Sequence, residues 1–423
     1  MCRVVKKFGG SSLSTMGKIA RIAALLAAEA ERQGPFPVVV SARGGTTDQL
    51  LELAAAAGGP DPAAREVDQL LSTGEIASAA QLALALGRCG VPAVSLTGTQ
   101  AGINVSGPGG NGAVASIDTT RIQAELAAGK VVVVAGFQGV DAVGDVVTLG
   151  RGGSDTTAVA LAVALGARRC EIYTDVDGVY TVDPRLVADA QILRHVDPDV
   201  MTEMAFAGSK VLHPRSAQLA ATHGLELHVR DAAGGDSGTV VSRRPLETAP
   251  AVSAVACDPR VARVLIRSPH GRDLAPEVLE ALSLHAIPVD LVARSGPAEE
   301  EFRMGFTIDA GNLDTVRRAL REVADPRGAT VVIDENVSKV SVVGPGIRAR
   351  PAYIARITAV LAEAGIDISW VALSANRASV TVARDRRAEA VRLLHREFHA
   401  DITASQSGGD DAEPLDTVEE LKP

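Results

Sequence analysis

The stretch Thr148–Arg185, TLGRGGSDTTAVALAVALGARRCEIYTDVDGVYTVDPR, decides the fold. It opens with a turn holding Arg151, Gly152, Gly153, Ser154 and Asp155, then runs on as Ala, Val and Leu over a helical length. A short strand, Glu171–Thr174, leads into a loop dense in Asp, Gly and Tyr that closes on Asp-Pro-Arg. Glycines let backbone N–H groups come close to an anion, and the N-terminus of the following helix adds a favourable dipole. Arg151 offers a planar fork suited to a carboxylate or phosphate. A glycine-rich turn before a helix is as often only a tight connection, so the reading gains weight from a second such turn. Residues Val4–Ser12, VVKKFGGSS, give an apolar strand, a lysine pair, two glycines and two serines, and a helix follows from about Thr15. Lysine precedes the glycines, so this is neither the GxxxxGK[ST] phosphate loop nor GxGxxG.

Outward from these turns, the first 245 residues alternate β-branched runs with Ala/Leu helices. Strands are expected at 3–7, 37–41, 93–97, 131–137, 171–174 and 226–229, with helices at 16–33, 47–57, 74–88, 119–128, 155–165 and 216–223. Such alternation implies an α/β class fold, a three-layer domain with a mostly parallel sheet. Ligands of such sheets sit past the carboxyl ends of the strands, where both glycine turns and the Asp175 loop fall. A Pro- and charge-rich linker, SRRPLETAPAV, follows at 242–252. A βαββαβ pattern then occurs twice, with a first copy at 261–335 and a second at 336–406. The second copy is expected to close on a strand at 401–405, and residues 407–423 read as a disordered acidic tail.

Composition narrows the function. Net charge is −9 with no basic run, which argues against nucleic acid as the main partner. No apolar span or signal peptide points to a membrane, and the four scattered cysteines read as free thiols of a reducing, cytoplasmic compartment. Aromatics are only 3%, so Ala, Val and Leu must fill the cores.

These segments resemble the aspartate kinases of the amino-acid kinase family. The matching pieces are KKFGGSS at 6–12, VVVSARGGTTDQLL at 38–51, STGEIASA at 72–79, LTGTQAG at 96–102, VVAGFQG at 133–139, TLGRGGSDTTA at 148–158, IYTDVDGVYTVDPR at 172–185 and AGSKVLHPRS at 207–216. The repeats resemble that family's paired small-molecule-sensing ACT domains. The resemblance implies ATP and L-aspartate as substrates, with Mg²⁺ held through the nucleotide phosphates and no dedicated metal ligands. It implies that Lys7 faces the site, with Lys210 on the phosphates and Asp155 organising both lysines. Strand alternation agrees that only one of Lys6 and Lys7 can face the site. Asp155 also fits a plain helix N-cap. Glu75 would hold the α-ammonium group, Arg151 with Gly152, Gly153 and Ser154 the carboxylate, and Ser41, Thr46 and Thr47 would supply hydroxyls. Alternatively, Glu75 is a helix first-turn charge and TTDQLL an ordinary helix start. Nucleotide contacts are expected from Gly9, Gly10, Ser11, Thr174, Asp175, Tyr180, Asp183, Arg185 and Val211; VDGVY also reads as an ordinary Asp-Gly turn. The acceptor carboxylate is already ionised at neutral pH, so no general base is needed and His195 and His213 read as structural.

Two departures stand out. Ile76 takes the place of a polar residue after the glutamate, and Arg43 stands where Met or Leu is usual, so a different acidic acceptor, glutamate or a modified aspartate, stays open. A catalytically silent sensor is a third reading. In the second repeat ARPAY, 349–353, replaces a sequence close to SHPGV, which alters an effector pocket expected around Arg350, Ala352, Tyr353, Ser374 and Asn376. In the family the first sensing domain is inserted into the second, so the segment 251–257 is expected to join the second domain's sheet. Paired sensing domains also imply a homodimer or larger homo-oligomer.

Overall fold

The computed structural model describes residues 2–60, 62–209, 211–235, 237–243, 252–268, 273–285, 287–295 and 302–407. Lys210, part of the 242–252 linker and the tail from 408 lie outside the described residues. The chain divides into two compact units. One comprises Met1–Tyr180, Ile192–Ala205 and Lys210–Leu246; the other comprises Thr181–Gln191, Phe206–Ser209 and Glu247–Pro423.

In the first unit the elements run β1 (Val4–Phe8), α1 (Met16–Gln33), β2 (Pro37–Val40), α2 (Thr46–Gly58), α3 (Ala64–Arg88), β3 (Ala93–Leu96), β4 (Ile103–Ser106), β5 (Ala113–Ile117), α4 (Thr120–Ala127), β6 (Val131–Ala135), β7 (Gln138–Val140), β8 (Val146–Thr148), α5 (Gly153–Ala164), β9 (Arg169–Thr174), β10 (His195–Val196), α6 (Pro198–Phe206), α7 (Pro214–His223), β11 (Glu226–Asp231) and β12 (Gly238–Val241). The main sheet has the order β10-β12-β11-β9-β1-β2-β6-β3, parallel except where β12 runs against β11. The central strands are buried on both faces, as their unbroken Val-rich runs require. Ile19, Ile22 and Leu26 of α1, with Leu82 and Leu86 of α3, pack on one face against Val4, Phe8, Val38 and Val133. Helix α5, apolar all round, lies against β1, β2 and β9.

Three expectations need correcting here. Helix α3 starts at Ala64, ten residues before the expected 74, so Glu75 sits in its middle rather than in its first turn. By length and composition α3 is also apolar enough to cross a membrane. It is a core helix instead, packed on α1, α2 and β6. A small second sheet, β5-β4-β7-β8, was not expected at all.

The second unit contains β13 (Ala254–Ser268), α8 (Ala275–Leu284), β14 (Asp290–Ser295), β15 (Phe302–Asp309), α9 (Leu313–Ala324), β16 (Thr330–Val343), α10 (Pro351–Glu363), β17 (Trp370–Leu373), β18 (Arg377–Ala383), α11 (Arg387–Glu397) and α12 (His399–Ser407). One sheet, β14-β15-β13-β16-β18-β17, serves both repeats. Two long strands are shared between them. Val261–Arg267 of β13 pairs with β15 and the first half of β16, while Ala254–Asp258 pairs with Lys339–Val343 of the second repeat. The expected strand at 401–405 is therefore replaced: Ala254–Asp258 already occupies the edge of β16 that a closing strand would take. The chain forms helix α12 there instead.

Candidate active site

The site grows from the carboxyl ends of β1, β2, β6 and β9. Alternation along β1 sends its two lysines to opposite faces. Lys6, 2% exposed, reaches Glu171 Oε2 at 2.5 Å, Glu29 Oε2 at 2.7 Å and Tyr173 Oη at 3.3 Å. Burial alone would raise the Glu171 pKa; the charge and hydrogen bond of Lys6, helped by Arg169, reverse this and hold it at about 2. Lys7 turns the other way and meets Asp155 Oδ1 at 2.5 Å. Asp155 lies in the first turn of α5, so an ion pair joins the two glycine turns.

Those turns are shaped by close approach. A Cβ on Gly9 would stand 3.5 Å from Lys7 Nζ, and one on Gly10 would stand 2.5 Å from the Ala42 carbonyl oxygen. The Gly10 carbonyl accepts from Gly44 N–H at 2.9 Å, seating the turn against the loop after β2. That loop carries Ser41 and leads to Thr46 and Thr47 at the start of α2. Gly74 admits it to α3, because a Cβ there would lie 2.9 Å from Ala42 Cβ and 3.4 Å from Thr46 Cγ2. Next in α3 is Glu75, 3% exposed, whose Oε2 has no hydrogen-bond partner among the described residues. Burial pushes its pKa up to about 7, against the lowering effect of the Ala42 and Glu75 backbone N–H groups. A buried carboxyl with an unmet oxygen beside this loop has the chemistry to accept a hydrogen bond from a cation.

On the far side, Gly152 has φ +67° and leads into α5 with Gly153 and Ser154. A Cβ on Gly152 would come within 2.1 Å of His213 Cγ, so His213 packs on the turn. Burial lowers the His213 pKa, with Asp155 opposing and Arg215 and Arg151 reinforcing. Arg151 itself is exposed. Phe137, after β6, holds a φ of +68°, unusual for a side-chain-bearing residue, and its N–H donates to Thr157 Oγ1 of α5 at 3.1 Å.

Two positioning residues were missed from sequence. Asp68 of α3, 1% exposed, accepts from Gly110 N (2.9 Å), Thr148 N (3.0 Å) and Thr148 Oγ1 (2.6 Å), tying the 108–112 loop and β8 to the helix. Arg215 donates to the carbonyls of Leu149 (2.8 Å) and Gly112 (2.7 Å). Together they hold the turn that presents Arg151. The available signal was the spacing Asp68–Ser72–Glu75, three polar residues on one stripe of a helix.

Both departures fall behind the site. Arg43 donates to the carbonyls of Leu13 and Ser14 and to Gln81 Oε1, each at 3.2 Å, so its guanidinium is spent on scaffold. Ile76 packs into the core under α1. Of the expected nucleotide residues, Ser11 opens the short 3₁₀ turn after Gly10 and Thr174 donates to Asp175 Oδ1 at 3.1 Å. Tyr180 hydrogen-bonds Asp177 at 3.4 Å, and Val211 precedes α7. Asp183 and Arg185 pair with each other at 2.7 Å and belong to the second unit. His195 contacts Ser242 Oγ at 2.9 Å, away from Lys7 and Asp155 along the sheet.

Around α10 the expected effector residues are already engaged. Asn376 Oδ1 accepts from Gly346 N–H at 3.0 Å, and the Ser374 N–H donates to the Arg377 carbonyl at 2.8 Å. Tyr353 packs toward the last helix. Its ring lies 5.6 Å from that of Phe398, and its hydroxyl donates to Asp401 Oδ1 at 3.2 Å. Arg350 stacks over the same ring at 5.9 Å, and Ala352 is exposed in the first turn.

An α/β sheet whose two glycine turns are joined by a Lys–Asp pair has the parts that phosphoryl transfer calls for, cations and free backbone donors at one end of the strands. Comparison with known proteins agrees: the amino acid kinase family model matches residues 2–231, and an ACT domain model matches residues 332–396. The aspartokinase of Geobacillus stearothermophilus is 40% identical over 397 residues, covering 93% of this chain and 97% of its own. Among solved structures, E. coli aspartokinase III in complex with aspartate and ADP has a TM-score of 0.80 at 25% identity, covering 94% of this chain and 100% of that one. The same enzyme in complex with lysine and aspartate has a TM-score of 0.70 at 25% identity, covering 93% and 99%. The chain belongs to the amino acid kinase family, in its aspartokinase branch.

Proposed function

We propose that the protein transfers the γ-phosphoryl group of ATP to the side-chain carboxylate of L-aspartate, giving 4-phospho-L-aspartate, the entry to lysine, threonine and methionine. The observation that carries this reading is the pairing of two features at one loop. Lys7, fixed by Asp155, stands at the Gly9–Gly10 turn, and the buried, unmet Glu75 carboxyl lies on the other side of Ala42. Phosphoryl transfer between two anions needs cations and backbone donors rather than a base. Lys7 supplies charge at the γ-phosphate, and the Gly9, Gly10 and Ser11 backbone cradles oxygens beside it. Asp155 keeps Lys7 aimed, and Lys210 joins from the AGSK segment. Glu75 takes the α-ammonium group, and Arg151, with the Gly152–Ser154 backbone, takes the α-carboxylate. Ser41, Thr46 and Thr47 complete the amino-acid pocket, and Thr174, Asp175, Tyr180, Asp183, Arg185 and Val211 serve the nucleotide.

Magnesium would arrive on the ATP phosphates, where it neutralises the transferring oxygens. Among the described residues no group of three or more His, Cys, Asp or Glu could form a cage for it. The carboxylate nearest the transfer point, Asp155, is held by Lys7, which suits an ion carried by phosphate. The engagement of Arg43 and Ile76 in scaffold favours aspartate over a larger acidic acceptor. Edge strands β14 and β17 carry the exposed apolar residues Val292, Val371 and Leu373, which supports association with a second copy through the sensing repeats. An amino acid, with lysine as the first candidate, is the proposed effector class there.

A coupled ATPase assay over a panel of acidic amino acids, with hydroxylamine trapping of the acyl phosphate, tests the reading. Aspartate alone should give the trapped product. Turnover only with glutamate would replace the acceptor, and no turnover with any of them would make the protein a sensor.

A further inference from the structure

Phe137, directly after β6, has φ +68°. Among the described residues only Leu291 shares a positive φ without being glycine. That backbone is unfavourable for a bulky side chain and persists where the surroundings over-determine it, often at ligand sites. Here they do. The Gly136 N–H donates to the Val40 carbonyl at 3.0 Å, and the Phe137 carbonyl accepts from the Leu149 N–H at 2.8 Å. The Phe137 N–H donates to Thr157 Oγ1 at 3.1 Å, and that buried hydroxyl donates in turn to the Gly153 carbonyl at 2.9 Å. Gln138, 2% exposed, reaches the other way, its Nε2 donating to the Ser72 carbonyl of α3 at 2.9 Å, three residues before Glu75.

What this strain places is a ring. A Cβ on Gly153 would stand 2.7 Å from Phe137 Cδ2 and 3.2 Å from Phe137 Cα, so the ring lies on the turn itself and only glycine at 153 admits it. On the strand side, a Cβ on Gly136 would stand 2.9 Å from Ser154 Cβ, so the two segments touch along their length. Phe137 is half-buried while Gly136 and Gln138 on either side are buried. A partly open aromatic ring therefore stands at the carboxyl end of β6, backed by the Gly152–Ser154 turn and tied through Gln138 to the helix of Glu75. The same backbone is free of strain for glycine, so the shape of the loop alone does not call for an aromatic residue.

We propose that Phe137 is a specificity-determining residue for the acceptor. Its ring is the apolar wall for the side-chain methylene, and its bonded neighbours set the span between Glu75 and the Arg151–Ser154 turn. A four-carbon acid fits that span, and the extra methylene of a five-carbon acid meets the ring. The inference deepens the proposed function and rests on reading Glu75 and that turn as the two ends of the amino-acid site. Initial rates with aspartate and glutamate, together with calorimetric titration of each acid in the presence of a non-hydrolysable ATP analogue, test it on the full chain. Phe137→Gly keeps the backbone and removes the ring. It should shrink the preference for aspartate over glutamate about tenfold, as expected for one methylene in an apolar pocket, and leave KM for ATP unchanged. Phe137→Asn, which also tolerates positive φ, should move the preference the same way and replaces Phe137→Gly should that variant not fold. Phe137→Leu, which keeps an apolar wall, should retain most of the preference. A wild-type ratio in folded Phe137→Gly or Phe137→Asn, or KM values for aspartate and ATP that rise together at an unchanged ratio, would overturn the proposal. So would a wild type that binds both acids alike. A wild type that binds aspartate over glutamate and phosphorylates neither would sink the kinase reading alone.

Discussion

Replacing Glu75 by glutamine should weaken the enzyme and stabilise the protein at once. Glu75 is 3% exposed, and burial raises its pKa from 4.5 to about 7. The folded state therefore binds a proton that the unfolded chain has released once pH passes 4.5. Stability contributed by this group is fully present below that pH and falls as pH rises through about 7, where the buried carboxyl must ionise. A rise from 4.5 to about 7 corresponds to about 3 kcal/mol, an upper bound on the stability lost at pH 8. Glutamine keeps the shape and carries no charge. Glu75→Gln should thus melt several degrees above wild type at pH 8, with the gap closing near pH 4.5. Function moves the other way. The bound α-ammonium loses a charged partner that contributes roughly 1.5–3 kcal/mol, so KM for aspartate should rise at least tenfold while KM for ATP stays unchanged. The wild-type kcat/KM for aspartate should climb through pH 7 as Glu75 ionises, and the variant should lose that limb. Scanning calorimetry at the two pH values and initial rates across pH 5.5–8.5 decide the matter. A variant no more stable at pH 8, or KM values that rise together, would show that Glu75 is a structural acid and not the ammonium receptor.

Further outcomes follow from other parts of the structure. Lys7→Ala and Asp155→Ala should each lower kcat far more than tenfold with unchanged circular dichroism, since the proposed role of Lys7 is to meet charge that grows in the transition state; a tenth of wild-type kcat surviving in Lys7→Ala, a loss of about 1.4 kcal/mol, would remove it from that role. Gly152→Ala meets both a φ of +67° and a His213 atom 2.1 Å from the new methyl, so it should cost about 2 kcal/mol or more in urea unfolding and should disable the aspartate site. Asp68→Ala strands three donors, Gly110 N, Thr148 N and Thr148 Oγ1, and should cost about 3 kcal/mol, measured the same way. Inhibition by millimolar lysine and threonine, singly and together, should be weak, because Ala352 restricts backbone approach at the start of α10; Tyr353→Val should destabilise the second repeat without restoring inhibition, and strong concerted inhibition of the wild type would refute this.

The central sheet of the first unit was legible because β2 and β6 are unbroken β-branched runs buried on both faces, and no helix pattern competes with them. The glycine turns and their charged residues were legible for a similar reason: a strand, two glycines and a helix leave little choice of geometry. Asp68 was not, since a buried carboxylate looks in sequence like any polar helix residue until the 108–112 loop arrives to satisfy it. The small sheet of β4, β5, β7 and β8 consists of three- to five-residue strands whose pairing is set by distant partners rather than by local pattern. Residues 401–405 have strand-compatible composition, but Ala254–Asp258 occupies the β16 edge that a closing strand would need, and they are helical. Tyr353 and Arg356 then fasten that helix, the guanidinium reaching Glu397 Oε1 at 2.7 Å and Asp401 Oδ2 at 3.0 Å. Tyr353, which in sequence belongs to an altered effector pocket, is in the fold an anchor for the last helix.

The lysine pair of β1 shows how neighbouring identical residues acquire different work. Nothing in the residue type separates Lys6 from Lys7; the period of the strand does. Lys6 enters a closed set of partners, Glu29 from α1 and Glu171 and Tyr173 from β9, and is 2% exposed. Removing any one partner would leave charge stranded in the interior, so the set locks β1, β9 and α1 in register. The Phe8–Tyr173 stack at 4.5 Å and the Gly9 N–H bond to the Tyr173 carbonyl at 3.2 Å continue that lock to the end of the strand. Among the described residues Lys7 has a single acidic partner within reach, Asp155, and it stands at the carboxyl end of β1 beside Gly9. A cation meant for a phosphate must be held firmly enough to be aimed and loosely enough to be shared. One carboxylate at 2.5 Å does that, provided the strand beneath does not move. The rigid, buried ion cluster under β1 is therefore the condition for a usable lysine above it.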